Sequence, residues 1–264
     1  NSIFKSIIMI FSKIKNKLKK IYYRNESTKK YFLNNISKSD IKKDIQKKYA
    51  HNSDMLEHFI NINGFLIHKW HHYIPIYDHY LSPFKGRDIK LLEIGVSKGG
   101  SLQLWRKYFG NKATIFGIDI EPECIKYSTP TEQIRIGSQI DESFLKSVIK
   151  EMGGVDIILD DGSHHMKHIP VTLKILYPYL NYGGIYMIED LHTAYWKKYG
   201  GGYDAKNNFF KFVMDLVDDI HHWYHPKRIK QPNISKDCSG IHIHDSIVVL
   251  EKNKVHSPVH SHIS

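Results

Sequence analysis

The chain has 264 residues, 41% of them hydrophobic, which is enough for one α/β domain of about 200 residues and an appendage. Its net charge of +11 lies entirely in residues 1–50, which hold 14 Lys/Arg and 3 Asp/Glu, because the remainder holds 24 of each. A neutral main domain argues against nucleic-acid binding, which needs a basic face.

The cellular location is predicted from cysteine usage and from the lengths of apolar runs. The two cysteines show neither metal-ligand nor disulfide spacing, which favours a reducing, cytoplasmic compartment. No apolar run reaches the ~18–20 residues of a spanning helix, and a cleavable signal peptide is not expected, because lysines interrupt the first segment.

Residues 1–48 are predicted to form a basic amphipathic extension. Apolar residues recur there at near-helical spacing among lysines, which predicts a helix lying on an anionic membrane or on a partner protein. A helix packed on its own domain, or a frayed terminus, stays open as the alternative. The apolar positions are Ile3, Ile7, Ile10, Phe11, Ile14, Leu18 and Ile21.

A helical lead-in is predicted over residues 53–85. Aromatic residues follow one another there at intervals of three or four, until a proline and a glycine break the pattern. These residues are Trp70, Tyr73, Tyr77, Tyr80, Pro83 and Gly86.

Strand and helix patterns alternate from residue 89 onward. This alternation predicts βαβ units and a Rossmann-like, mostly parallel seven-stranded sheet with helices on both faces, closed by an antiparallel C-terminal strand pair. The main domain is predicted at 49–254, with the lead-in over 49–88 and a disordered tail at 255–264. Strands are predicted at 89–96, 113–120, 134–138, 155–161 and 183–191, helices at 101–109, 142–152, 168–180 and 207–224, and the strand pair within 239–252.

A glycine-rich turn, EIGVSKGGS over residues 93–101, joins the first strand to its helix. Glycines let a ligand approach the backbone, and the helix N-terminus offers free N–H groups. The turn matches neither GxGxxG nor a phosphate-binding loop, so a tight turn without a ligand stays open. The expected ligand contacts are Glu93, Gly95, Ser97, Gly99 and Ser101.

Later strand ends extend this predicted nucleoside site. Asp119 ends the second strand, where a carboxylate can accept hydrogen bonds from both ribose hydroxyls of an adenosine. Ile120 follows it, and Ser138 and Gln139 follow the third strand, beside the expected adenine position. Asp160, which ends the fourth strand, is assigned to the same site.

Acidic residues follow the fourth and fifth strands. Asp161 lies in DDGSHHMKH, and Glu189-Asp190 come 28 residues later. Adjacent parallel strands bring these carboxylates to one edge of the sheet, where they repel one another unless a cation lies among them. Oxygen ligands favour a hard divalent ion such as Mg²⁺. Asp160 as the ligand in place of Asp161 stays open.

These motifs resemble those of a known family. ExGxxxGGS, GID, DDGSHH and IEDLHTAYW are similar to motifs of class I S-adenosylmethionine-dependent methyltransferases. More narrowly, they resemble the metal-dependent sugar O-methyltransferases, such as the macrocin and mycinamicin O-methyltransferases, and cephalosporin hydroxylase-like proteins share them. The resemblance covers roughly residues 65–250 and omits the first 48.

The resemblance implies S-adenosyl-L-methionine as methyl donor, with Mg²⁺ or another divalent cation. It implies that Asp161, Glu189 and Asp190 hold the metal and that His164 is the general base, Asp161 being catalytic as well. Residues after the metal motif are expected to form an aromatic lid over a carbohydrate, with glycines 200–202 as a hinge. The expected substrate contacts are His192, Tyr195, Trp196 and Tyr77, for which a structural role stays open.

The predicted activity is O-methylation of a sugar hydroxyl, in a nucleotide-activated sugar or a precursor of a bacterial capsular or other surface polysaccharide. A non-sugar acceptor (a phosphoramidate, a catechol or an amine) and a non-catalytic interaction protein are the alternatives. No nucleic-acid partner is expected. The N-terminal extension is expected to contact the inner membrane or a glycosyltransferase, and a homo-oligomer is a further expectation. The histidine clusters at 68–72 and 221–225 lack cysteine partners, so zinc is not expected there.

Overall fold

The computed structural model describes residues 37–225, 234 and 236–263, so the predicted amphipathic helix near the N-terminus lies outside the described residues. The strands are β1 Lys90–Ile94, β2 Thr114–Asp119, β3 Glu132–Ile136, β4 Val155–Asp160, β5 Leu180–Ile188, β6 Cys238–His244 and β7 Ile247–Lys252. They form one sheet in the order β3-β2-β1-β4-β5-β7-β6. Strands β1 to β5 are parallel, and β7 is antiparallel to both β5 and β6. The predicted fold class is confirmed.

The helices of the described residues surround this sheet, and none of them is long and apolar enough to cross a membrane. The predicted helices over 168–180 and 207–224 end earlier, at Leu176 and Ile220, and give way to 3₁₀ turns. The first of these changes follows from Pro178, which has no backbone N–H to continue a helix. The α-helices are α1 Lys38–Tyr49, α2 Asp54–Ile60, α3 Tyr73–Leu81, α4 Gly100–Phe109, α5 Glu142–Met152, α6 Ile169–Leu176 and α7 Phe209–Ile220.

Each face of the sheet carries its own apolar cluster. Along β1, alternation sends Leu92 to the face covered by α5, α6 and α7, and Leu91 to the face covered by α1 to α4. On the second face, Trp105 from α4 and Ile45 from α1 are fully buried. The predicted domain boundary after residue 48 therefore falls inside α1, a helix that contributes to the core.

The strand register aligns the carboxyl ends of the central strands. Ile94 at the end of β1 pairs with Ile118 of β2 and with Asp160 of β4, and Asp160 pairs with Ile188 at the end of β5. The chain runs outward from β1 through β2 to β3 and then returns to β4. The edge beside β1 and β4 is therefore a topological switch point, where open α/β sheets bind their ligands.

The lead-in predicted as helical over 53–85 is helical only in part. Helices α2 and α3 are separated by a non-helical segment, residues 61–72. Helix α2 ends at Ile60, and Gly64 within this segment takes a φ of +116°, outside the helical range. The segment then crosses α4 so closely that a Cβ on Gly100 would lie 2.4 Å from the carbonyl oxygen of Leu66.

Replacing Gly100 with alanine should therefore lower the free energy of unfolding by about 1–3 kcal/mol, because the added methyl group has no space against the Leu66 backbone. Urea unfolding measures the change. Gly240→Ala in β6 is the matched control, since its Cβ would meet only side-chain ends, those of His242 and Glu251, at 3.1 and 3.3 Å. Equal stability of the two variants would contradict the close approach of the segment to α4.

Candidate functional site

A cavity of about 340 Å³ opens at the carboxyl ends of β1, β2, β4 and β5. The glycine turn, the loops after β4 and β5, and the segment 66–70 line it. The structure thus brings together most of the predicted cofactor and metal residues. Those that line the cavity are Gly95, Ser97, Ser101, Asp119, Asp161, His164, Glu189 and Asp190.

Gly95 begins the turn after β1 at a position that only glycine fits. Its φ is +92°, and a Cβ there would lie 2.1 Å from the carbonyl oxygen of Asp161. Its N–H donates to the Ile118 carbonyl at 2.8 Å. The turn is therefore locked against the ends of both neighbouring strands. Gly99, with a φ of +75°, lies at the start of α4 and is buried rather than part of the cavity lining.

Asp119 organises the floor of the cavity through both carboxylate oxygens. Oδ2 accepts a hydrogen bond from the Ser97 N–H at 2.9 Å, and Oδ1 accepts one from the Glu121 N–H at 3.0 Å. Asp119 is only half-buried, so its lone pairs also face the cavity. The side chain of the next residue, Ile120, is 65% exposed and lies outside the cavity lining.

Glu93 lies beneath the cavity and supports the turn from below. It is fully buried, and its Oε2 accepts a hydrogen bond from the Ser101 hydroxyl at 2.8 Å. Burial raises the pKa of Glu93 to about 7, although the charge of Lys69 opposes the shift. Glu93 therefore fixes Ser101 and the start of α4 rather than presenting its carboxylate to the cavity.

Gln139 and Asp160 support the loop after β4 rather than line the cavity. The amide of Gln139 accepts from the Ser163 N–H at 2.6 Å and donates to Asp160 Oδ1 at 3.3 Å, and Tyr186 donates its hydroxyl to Asp160 Oδ2 at 3.2 Å. Burial raises the pKa of Asp160 to about 6. Of the two adjacent acids, Asp161 is therefore the one that faces the cavity. Ser138 is half-buried in the turn that leads into α5.

Three carboxylates, from Asp161, Glu189 and Asp190, form what we call the acid cluster. The ammonium of Lys69 lies between two of them, 2.6 Å from Asp161 Oδ2 and 2.8 Å from Glu189 Oε2. Burial by itself would lower the pKa of Lys69, but the charges of Asp161, Glu189 and Glu93 raise it well above its usual value. Lys69 therefore carries its positive charge inside the site.

The two acids after β5 have different surroundings. Glu189 is buried, and burial raises its pKa, although the charge of Lys69 opposes the shift. Asp190 takes a left-handed φ of +55° and accepts a hydrogen bond from the Tyr73 hydroxyl at 2.8 Å. Burial opposes ionisation of Asp190, but the charges of His164 and His192 lower its pKa overall. Asp190 therefore remains negatively charged.

Asp161, His164 and Asp190 can place one ligand atom each within 4.8 Å of one another. His164 Nε2 lies 3.7 Å from Asp161 Oδ1 and 3.9 Å from Asp190 Oδ2. The loop presents this ring from a left-handed residue, with a φ of +53°. The predicted ligand Glu189 adjoins this trio through Lys69 rather than directly. The arrangement offers hard oxygen donors and one imidazole, a set that suits a divalent cation beside a proton acceptor.

Aromatic rings form a rim beside the acid cluster. His192 lies edge-on to Trp70 and to Trp196, with ring centroids 5.3 and 4.8 Å apart, and Trp196 is 6.0 Å from Tyr199. His164 in turn lies 6.3 Å from the Tyr199 ring. We call Trp70, His192, Trp196 and Tyr199 the aromatic rim; flat apolar faces of this kind suit a sugar ring or an apolar group attached to it.

Two predicted substrate contacts lie elsewhere. Tyr77 is fully buried, with its ring packed edge-on against Trp105 at 5.3 Å, so its assignment as a substrate contact is corrected to core packing. The cause is the position of α3, which faces the sheet. Tyr195 is 45% exposed and stacks on Phe210, with ring centroids 5.8 Å apart.

The glycine stretch after the rim is tightly bonded. A Cβ on Gly201 would lie 2.2 Å from the carbonyl oxygen of Ala194, and the Gly202 N–H donates to that same oxygen at 2.9 Å. The side-chain amide of Asn208 donates a hydrogen bond to the same Ala194 oxygen at 3.0 Å. These glycines therefore fix the loop that carries the aromatic rim, and the predicted lid hinge is a packed turn in this structure.

Sequence reasoning missed Lys69, Trp70 and Tyr199. A lysine flanked by histidine and tryptophan in LIHKW was a weak signal, because its acidic partners are 92 and 120 residues away. The aromatic spacing predicts Trp70 as part of a helix. Tyr199 follows two lysines and resembles a surface position.

The chain is similar to several known proteins. No family model matches the chain. The 8-demethyl-8-alpha-L-rhamnosyl tetracenomycin-C 2'-O-methyltransferase of Streptomyces olivaceus is 33% identical over 196 residues, or 70% of this chain and 51% of the relative. The mycinamicin VI 2''-O-methyltransferase of Micromonospora griseorubida is 30% identical over 210 residues, or 72% and 49%. The chain spans about half the length of the curated relatives it matches.

A solved structure is also similar to this chain. The MycE methyltransferase from the mycinamycin biosynthetic pathway, in complex with Mg and SAH, aligns with a TM-score of 0.67 at 28% identity, over 77% of this chain and 55% of that one. A further structure of it also contains mycinamycin VI and aligns with a TM-score of 0.66 at 27% identity, over 81% and 53%. These likenesses confirm the resemblance seen in the motifs: the chain is a homologue of the sugar O-methyltransferases and has the class I S-adenosylmethionine-dependent methyltransferase fold.

Proposed function

We propose that this chain transfers the methyl group of S-adenosylmethionine to a sugar hydroxyl, with Mg²⁺ held at the acid cluster. The observation that carries the proposal is that one cavity is lined both by the glycine turn with Asp119 and by the acid cluster with His164. A nucleoside donor and a metal-held acceptor would then meet in a single cavity. Proximity of this kind is a major source of rate in a two-substrate displacement.

The cofactor half of the proposal relies on Asp119 and on the turn after β1. Asp119 is half-buried and faces the cavity, so its oxygens are available to both ribose hydroxyls. The amide of Ser97 already fixes the orientation of that carboxylate. Gly95 leaves the backbone free of a side chain where the methionine part of the donor would pass.

The metal half relies on the fit of the acid cluster to a cation. Its oxygens already surround the Lys69 ammonium at 2.6 and 2.8 Å, so the site accommodates positive charge. Hard carboxylate oxygens are the donors that Mg²⁺ prefers, and Asp161, Glu189 and Asp190 would hold it. A bound divalent ion lowers the pKa of a coordinated hydroxyl and stabilises the resulting oxyanion.

His164 is the proposed general base. Its Nε2 accepts the hydroxyl proton, and Asp161 and Asp190, within 4 Å of that nitrogen, stabilise the imidazolium that forms. The sugar oxygen then attacks the sulfonium methyl carbon, the carbon–sulfur bond breaks, and S-adenosylhomocysteine leaves as a neutral thioether. The aromatic rim holds the acceptor and excludes water during this step.

Two classes of sugar acceptor are proposed. The relatives' names concern sugars attached to antibiotics, whereas the acceptor predicted from the sequence is a nucleotide-activated sugar or a surface-polysaccharide precursor. A panel of glycosylated small molecules and nucleotide sugars distinguishes the two. We further propose that residues 1–48 contact a membrane or a glycosyltransferase. A homo-oligomer is a separate proposal.

Asp119→Asn should weaken binding of S-adenosylhomocysteine by about 10- to 100-fold, because a charged acceptor of the ribose hydroxyls is lost. Isothermal titration measures the dissociation constant. Glu123→Gln, an exposed acid nearby, is the control and should bind like the unaltered protein. Unchanged binding by the Asp119 variant would place the nucleoside elsewhere.

Removing the metal should separate binding from chemistry. In EDTA, and in Asp161→Asn, the protein should still bind S-adenosylhomocysteine, while methyl transfer to the sugar panel falls by a factor on the order of 10³ or more. Added Mg²⁺ should rescue the EDTA-treated protein only. Asp88→Asn, at an exposed acid outside the cavity, is the control. Full activity in EDTA would favour a nitrogen acceptor, which needs no metal-bound hydroxyl.

His164→Asn should lower kcat by about 10²- to 10⁴-fold, the usual contribution of a general base, while Mg²⁺ and nucleoside binding change little. Asparagine is chosen because it tolerates the left-handed backbone of this position. His165→Asn is the neighbouring control and should retain activity. A His164 variant with normal kcat would make this ring structural.

A further inference from the structure

We propose that Lys69 is an internal competitor of the metal: its ammonium neutralises the acid cluster when no ion is bound, and binding of a divalent ion displaces it. The inference rests on the proposed function, since it takes the acid cluster as the metal site. It assigns a role to a residue that the chemistry above does not otherwise require.

The first support is geometric. The Lys69 nitrogen donates to Asp161 Oδ2 at 2.6 Å and to Glu189 Oε2 at 2.8 Å, distances typical of strong charge-assisted hydrogen bonds. Its side chain is only 3% exposed. A divalent ion held by Asp161 and Glu189 would occupy the same region of space and would repel a neighbouring ammonium. The two cations therefore cannot share this pair of carboxylates.

The second support is the position in which the fold holds the segment that carries Lys69. The non-helical segment 61–72 is pressed onto Gly100 of α4, where the chain passes too close for any side chain. The lysine nitrogen also lies 5.7 Å from the ring centroid of the buried Tyr77. The backbone that precedes Lys69 is thus held against α4, and the ammonium faces the acid cluster rather than solvent.

The third support is the local charge. Four carboxylates, those of Glu93 and the acid cluster, surround this one lysine, and all of them are at least half-buried. Leaving such acids without a cation is strongly unfavourable. Lys69 therefore allows the metal-free protein to keep the acids assembled, at the cost of weaker metal binding. Because Lys69 also lines the cavity, its side chain has space to move when an ion replaces it.

The test compares Mn²⁺ binding by the unaltered chain, Lys69→Met and Lys98→Met. Methionine keeps the length and apolar stem of lysine without its charge. Lys98 lines the same cavity but is exposed, so its variant controls for the general loss of one positive charge. Isothermal titration gives the dissociation constants, and thermal unfolding is followed in EDTA and in Mn²⁺.

Lys69→Met should bind Mn²⁺ roughly tenfold more tightly or better, whereas Lys98→Met should change affinity far less. In EDTA, Lys69→Met should melt roughly 5 °C or more below the unaltered protein, and Mn²⁺ should restore most of the loss. Unaltered Mn²⁺ affinity in a folded Lys69→Met would overturn the inference while leaving the metal site intact. Absence of Mn²⁺ binding by every protein would overturn the proposed metal site and the inference with it.

A measurement on the unaltered protein avoids dependence on the folding of a variant. Amine labelling followed by mass spectrometry should show Lys69 protected in EDTA and labelled faster in saturating Mg²⁺, while Lys98 is labelled equally in both. Protection of Lys69 that persists in saturating Mg²⁺ would contradict displacement.

Discussion

The site depends on the register of three parallel strands. Because Ile94 of β1 pairs with Asp160 of β4, and Asp160 pairs with Ile188 of β5, the three chains leave the sheet side by side. Every polar group that follows them is then delivered to one edge. A shift of the register by one residue would reverse the faces and bury Asp161 where Asp160 now lies. The chemistry of the site is therefore a consequence of strand pairing.

Neighbouring residues acquire opposite roles from that register. Asp160 is buried and holds its loop together with Gln139 and Tyr186, whereas Asp161 turns into the cavity. Glu189 and Asp190 also have different partners, since the first pairs with Lys69 and the second with the Tyr73 hydroxyl. The protein thus uses some of its acids to position a loop and leaves others available as ligands.

Much of this could be predicted from the sequence, because the signals are local. Strand ends, glycines with positive φ such as Gly95, and the acids that follow buried strands are each visible within a few residues. The misplaced features depend on distant contacts. The segment carrying Lys69 is non-helical because it packs on Gly100 of a later helix, and Tyr77 is in the core because α3 faces the sheet. Neither contact leaves a periodic pattern in its own stretch of sequence.

We expect the methyl donor and the metal to bind in one cavity, with the acid cluster as the metal site. Anomalous diffraction from crystals grown with Mn²⁺ and S-adenosylhomocysteine tests it most directly. The account predicts one strong peak among the oxygens of Asp161, Glu189 and Asp190, with the nucleoside ribose on Asp119 and the Lys69 ammonium moved away. A bound nucleoside with no peak at the acid cluster, or a peak elsewhere in the cavity, would contradict it.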